Sequence, residues 1–87
     1  MTMQEITRYL DNKIDKNENI VIITFYEVRI KFDLSEGETQ EFLRLCRTRL
    51  ENLGYQGYFT GAKYKYQGEE RVVQSNELMV AIKDEYN

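Results

Sequence analysis

The sequence predicts a single small α+β domain over residues 1–87, with elements in the order α-β-α-β-β-β and two helices packed on a mixed or mostly antiparallel sheet. Three observations predict it. Apolar residues recur at helical spacing in two segments, and each segment opens on a capping box. β-branched and aromatic residues concentrate between these helices and in the last third of the chain. A length of 87 residues suffices for one domain and not for two.

The first helix is expected over about residues 3–16. Thr2 and Glu5 have the spacing of a capping box, in which each residue satisfies a backbone N–H near the helix start. Apolar residues then recur every three or four positions, at Met3, Ile6, Leu10 and Ile14. The polar residues 15–19 that follow are predicted to form a loop.

The run IVIITFYEVRIKF, residues 20–32, predicts one long strand. Its even positions are apolar except at Thr24, whereas its odd positions change from apolar to charged after Phe25. We therefore expect the even face to be buried throughout beneath a helix. The odd face should be buried only at its start, beneath another part of the chain.

The second helix is predicted between Ser35, which forms a capping box with Glu38, and Gly54. Its apolar stripe consists of Phe42, Leu45, Cys46, Leu50 and Leu53.

Turn residues at 67–70 then predict a hairpin that joins residues 58–66 to residues 71–74. The alternation of Leu78, Val80 and Ile82 predicts a final strand.

The composition argues against an enzyme, a cofactor or a metal site. The sequence has no histidine, so it lacks the usual general base and the usual imidazole ligand. Cys46 lies on the apolar stripe and is interpreted as a core residue, since one cysteine cannot form a zinc site. Residues 15–19 resemble the start of a calcium loop, but Ile20 and Tyr26 stand where glycine and glutamate are required.

The same composition predicts a cytoplasmic protein that does not cross a membrane. No apolar run approaches the ~20 residues of a membrane-spanning helix. The first residues lack a signal-peptide pattern, and a lone cysteine is not typical of a secreted disulfide scaffold. The long predicted strand and the small core favour a homodimer.

Charge is distributed unevenly along the chain. The net charge is −3, yet residues 42–66 carry five bases and one acid. Five aromatic residues lie between positions 55 and 66 of this basic segment. Tyrosine and arginine are enriched at protein interfaces.

We therefore predict a non-enzymatic domain that binds a host protein through the basic aromatic segment. The predicted contact residues are Arg44, Arg47, Tyr55, Tyr58, Phe59, Lys63, Tyr64, Lys65 and Tyr66, with an acidic border of Glu69, Glu70, Asp84 and Glu85.

Two alternatives remain open for this segment. The first is a nucleic-acid-binding module, in which four bases contact phosphates and Phe59 or Tyr64 stacks on bases. Those four bases are Arg44, Arg47, Lys63 and Lys65. The second is purely structural, with the inward rings forming core and the lysines protecting an edge strand from aggregation.

In size and composition the chain resembles small accessory proteins of phages and mobile elements of AT-rich bacteria. It is rich in Ile, Asn, Lys, Glu and Tyr and has no proline, histidine or tryptophan. Anti-CRISPR proteins are one such group. The resemblance implies an inhibitor of a host nucleic-acid-handling enzyme, and it transfers no functional residue.

Overall fold

Three helices and five strands make up residues 1–83, the part of the chain that this computed structural model describes. The elements are α1 (Met3–Lys16), β1 (Ile20–Thr24), α2 (Phe25–Phe32), α3 (Glu36–Asn52), β2 (Tyr55–Phe59), β3 (Lys63–Tyr66), β4 (Glu69–Val72) and β5 (Glu77–Lys83). The predicted α+β class is confirmed. None of these helices is both long and apolar enough to span a bilayer.

The strands form two antiparallel units. β5 lies at the centre of a three-stranded sheet of order β1-β5-β2, and β3 pairs with β4 in a separate hairpin. Val80 of β5 lies opposite Ile22 on one side and Tyr58 on the other. β1 and β2 are therefore the two edge strands of the sheet.

The central strand β5 is buried on both faces. Met79 and Ala81 pack with the helices, in a core that includes Leu10 of α1 and Phe42 of α3. Val80 and Ile82 belong to a second core on the opposite face, formed with Tyr64, Tyr66 and Val73. The domain thus has three layers, with the helices on one face of the sheet and the hairpin on the other.

The prediction of one strand over residues 20–32 is wrong beyond Thr24, where the chain turns into α2. The Thr24 hydroxyl caps this helix by accepting from the amide of Glu27 at 3.2 Å. In α2 the apolar side chains of Val28 and Phe32, four residues apart, both pack against the helical core. The change in pattern at the odd positions marked the end of the strand.

The predicted faces of β1 are also reversed. The odd residues Val21 and Ile23 pack against the helices, whereas the even residues Ile20 and Ile22 pack against the hairpin core. Both faces of this five-residue strand are covered. The alternation of its side chains therefore did not show which face packs against the helices and which against the hairpin.

The helix ends follow the sequence closely. α1 spans the predicted residues, and both expected capping boxes are formed, at Thr2 with Glu5 and at Ser35 with Glu38. Gly54 follows α3 with φ of +92°, a backbone conformation that favours glycine.

The hairpin is shorter than predicted. Gln67 and Gly68 both have positive φ, as a two-residue hairpin turn requires. Tyr58 belongs instead to β2, because a turn at Gly61 separates β2 from β3. The predicted return strand, residues 71–74, lies at 69–72.

A polar cluster ties α1 to the junction of β1 and α2. The Glu27 carboxylate accepts from the Tyr9 hydroxyl at 2.9 Å and from Lys13 Nζ at 2.6 Å. Lys13 also donates to the carbonyl of Ile22 on edge strand β1. Burial opposes ionisation of Glu27, but the hydrogen bonds from Lys13 and Tyr9 outweigh it, so the pKa of this carboxyl is lowered.

The short length of β1 weakens one of the two reasons for predicting a homodimer. That reason was a long half-apolar strand, whereas β1 has five residues and Lys13 contacts its backbone. The homodimer stays a prediction.

We expect Glu27→Gln to lower the free energy of unfolding at pH 7 by about 1–3 kcal/mol, because Lys13 loses its charged partner. Folding lowers the pKa of Glu27. The stabilisation that the Glu27 carboxylate provides is therefore complete above its ordinary pKa of 4.5, and it is lost as the pH falls through the folded-state pKa. Urea denaturation at several pH values measures this. The difference between wild type and variant should shrink below pH 4.5, and a difference that stayed constant would contradict the role of Glu27. Glu18→Gln, at an exposed position in the loop before β1, is the matched control.

Candidate interaction surface

Most of the predicted aromatic contact residues are buried in the core, where they lie on β2 or on the hairpin. Tyr55, Tyr64 and Tyr66 are only 3%, 6% and 8% exposed, and Tyr55 belongs to the helical core. Tyr58 is half-buried, with its ring centroid 5.7 Å from that of Tyr64. Three of the four predicted contact tyrosines are therefore inaccessible to a partner in this fold.

Among the residues that the structure describes, the predicted lysines share the hairpin with Glu69 and Glu70, so bases and acids lie side by side there. Lys65 lies opposite Glu70 in the β3–β4 register. The side chains of Lys63, Lys65, Glu69 and Glu70 are all exposed. Glu69 is paired with Arg71 at 3.2 Å. Asp84 and Glu85, also predicted for the acidic border, lie outside the described residues.

The structure does bring Arg44, Arg47 and Phe59 together. They line an open groove of about 450 Å³ between α3 and the adjoining ends of β2 and β5, which we call the α3–β2 groove. Its lining residues are Gln40, Leu43, Arg44, Arg47, Phe59, Thr60 and Leu78. Leu43, Phe59 and Leu78 also pack on the helical core, so the apolar part of the groove rests on the rigid interior.

Arg47 lies along the wall of this groove. Its guanidinium carbon is 5.2 Å from the Phe59 ring centroid, within the range of a cation–π interaction. A Cβ added at Gly57 would lie 3.4 Å from Cγ of Arg47, which is an ordinary van der Waals contact. Within residues 1–83, Arg47 pairs with one acid, Glu51, which lies one helical turn away at 3.5 Å.

Arg44 is held more firmly. It forms a two-pronged pair with Glu41, with N–O distances of 2.9 and 2.6 Å. Both side chains are more than half exposed, so this pair adds little to stability.

A second part of the surface is the outer side of α2. Phe25, Tyr26 and Ile30 are 50%, 72% and 68% exposed, which is unusual for large apolar side chains on one short helix. The guanidinium of Arg29 lies 5.7 Å from the Phe25 ring centroid. The sequence analysis missed this surface because it assigned these residues to a strand. The i, i+4 spacing of Tyr26 and Ile30 was the available signal.

The α3–β2 groove and the outer side of α2 lie at the same end of the sheet. The amide of Phe25 donates to the carbonyl of Asn76 just before β5. The hydroxyl of Thr60, in the groove lining, donates to the carbonyl of Glu77 at the start of β5. The sheet therefore positions both features around the first residues of one strand.

The structure brings together no group of three or more histidine, cysteine or acidic side chains that could hold a metal ion within residues 1–83. In the loop that resembles a calcium site, the side-chain oxygen of Asn17 accepts from the amide of Asn19 at 3.0 Å. This contact is a local turn of the kind that Asn side chains commonly form.

Cys46 lies in the helical core with no exposed surface, and burial raises the pKa of its thiol to about 12. We therefore expect Ellman's reagent at pH 8 to label it slowly in the folded protein and rapidly in denaturant. The native labelling rate should follow global unfolding. Rapid labelling under native conditions would contradict this placement.

The sequence matches no protein-family model, no curated protein and no solved structure. The candidate surface is therefore interpreted from its own geometry and chemistry.

Proposed function

We propose that this chain is a non-enzymatic domain that binds a protein partner through the α3–β2 groove and the outer side of α2. The observation that carries the proposal is the exposure of Phe25, Tyr26 and Ile30 at the same end of the sheet as a groove in which Arg47 lies over Phe59. Exposed apolar groups that are not needed for folding are a feature of binding sites. Tyrosine and arginine are among the residue types that contribute most to binding energy.

Rigidity supports the same proposal. The groove residues Leu43, Phe59 and Leu78 are anchored in the core, and Arg47 is held against an aromatic ring. Side chains that are already ordered lose less conformational entropy when a partner binds. The surface is therefore well suited to contact a partner without rearrangement.

The arrangement supports a protein partner over a nucleic acid. Arg44 and Arg47 lie on the helical side of the sheet, whereas Lys63 and Lys65 belong to the hairpin layer on the other side. The four bases do not form one track for a phosphate backbone, and Tyr64, one of the two predicted stacking residues, is buried.

The resemblance to phage accessory proteins extends the proposal to a partner class and a compartment. On this basis the partner is a host nucleic-acid-handling enzyme, which the chain inhibits. A cytoplasmic location fits the single buried cysteine, which needs no oxidising compartment.

A photo-crosslinking amino acid at Gln40 or Tyr26 should capture a partner in the cells that naturally produce the chain, because both positions are exposed on the proposed surface. The same group at Lys65, exposed on the hairpin, should not. Crosslinked bands are identified by mass spectrometry. Capture from Lys65 alone would assign the interface to the hairpin and contradict the proposal.

Electrophoretic mobility shifts should show no complex with single- or double-stranded probes, even at low salt. The reason is that Arg44 and Arg47 lie on the opposite side of the sheet from Lys63 and Lys65. A retarded complex whose affinity fell steeply with salt concentration would favour the nucleic-acid alternative instead.

A further inference from the structure

The charge of the α3–β2 groove identifies the chemistry of its occupant. Its seven lining residues include two arginines and no acid, although the whole chain has a net charge of −3. The basic character is therefore local to this groove. Leu43, Phe59 and Leu78 give the same groove an apolar lining that packs on the helical core.

Arg47 is the better placed of the two arginines for a new ligand. Its contact with Glu51, at 3.5 Å between half-exposed side chains, is a weak surface pair. The Phe59 ring holds the guanidinium in place. A planar guanidinium with free N–H groups binds a carboxylate with two parallel hydrogen bonds.

We propose that the groove binds an acidic, apolar segment of the partner protein, in which a large apolar side chain enters the groove and an adjacent Asp or Glu pairs with Arg47. This inference rests on the proposed function and adds the chemical class of the bound segment. Arg44 supplies a second carboxylate contact by exchanging Glu41 for an acid of the partner. A short peptide needs only these two bases, whereas a nucleic acid needs a longer basic track.

The test is selection of a displayed library of random 16-residue peptides on the wild-type chain, on Arg47→Glu and on Lys63→Glu. Lys63→Glu makes the same change of charge on the exposed hairpin and is the matched control. We expect peptides enriched on the wild type and on the control to carry Asp or Glu within a few positions of a large apolar residue. Arg47→Glu should weaken their binding at least ten-fold, as measured by fluorescence anisotropy with the synthetic peptides.

Arg47→Gln removes the charge but keeps an uncharged polar side chain, and it guards against misfolding of the charge-reversed variant. It should also weaken binding, and replacing the peptide's acids by Asn or Gln should do the same. Circular dichroism and urea denaturation check that both variants fold.

Several results would overturn the inference. One is selection of peptides that need Arg47 or Phe59 but lack acids, and another is the absence of any peptide whose binding responds to Arg47. If crosslinking from Gln40 succeeds, either result would contradict this inference but not the proposed function. If crosslinking from both Gln40 and Tyr26 fails, the proposed function itself is contradicted. Dissociation of a dimer of the chain by a selected peptide, measured by light scattering, would assign the groove to a second copy. Displacement by a single-stranded oligonucleotide would assign it to a nucleic acid.

Discussion

Strand β5 imposes the constraint on which the rest of the fold depends. Four consecutive residues, Met79 to Ile82, have no exposed surface, so both faces of the strand must be covered. α1, α2 and α3 cover one face, and the β3–β4 hairpin covers the other. A chain of 87 residues has little apolar area to spare, so each layer is needed for stability. The edge strands and the Glu27 cluster then fix the helices relative to this centre.

This constraint decides where binding residues can lie. Because the hairpin serves as a cover, Tyr64 and Tyr66 are part of the interior, and their residue type says nothing about a partner. The exposed side chains of Arg47, Tyr26 and Ile30 do not cover the sheet. Arg47, Phe59 and the exposed side of α2 lie around the first residues of β5, and the sheet holds the elements that carry them in place. Bases of one sequence segment, 42–66, thus separate onto the two sides of the sheet, with Arg44 and Arg47 on the helical side and Lys63 and Lys65 on the hairpin side.

The sequence predicted local features well and long-range placement poorly. Capping boxes and i, i+3/i+4 spacing are local, and they located α1 and α3 almost to the residue. The end of β1 was missed because Phe25–Phe32 has strand composition, and tertiary contacts of Val28 and Phe32 favour the helix. Arg44, Arg47 and Phe59 were selected as candidates and line one groove, but their separation from Lys63 and Lys65 depends on sheet order. Strand pairing across 20 or more residues leaves no local signal in a single sequence.

The central claim is that the hairpin tyrosines stabilise the fold whereas Arg47 and Tyr26 do not. Urea denaturation of the double variants Tyr64→Ala/Tyr66→Ala and Tyr26→Ala/Arg47→Ala tests it most directly. The first should lose about 3 kcal/mol or more of unfolding free energy, because large rings leave cavities in the second core. The second should change by less than about 1 kcal/mol, as expected for exposed positions. Equal losses, or a larger loss in the second variant, would contradict this account.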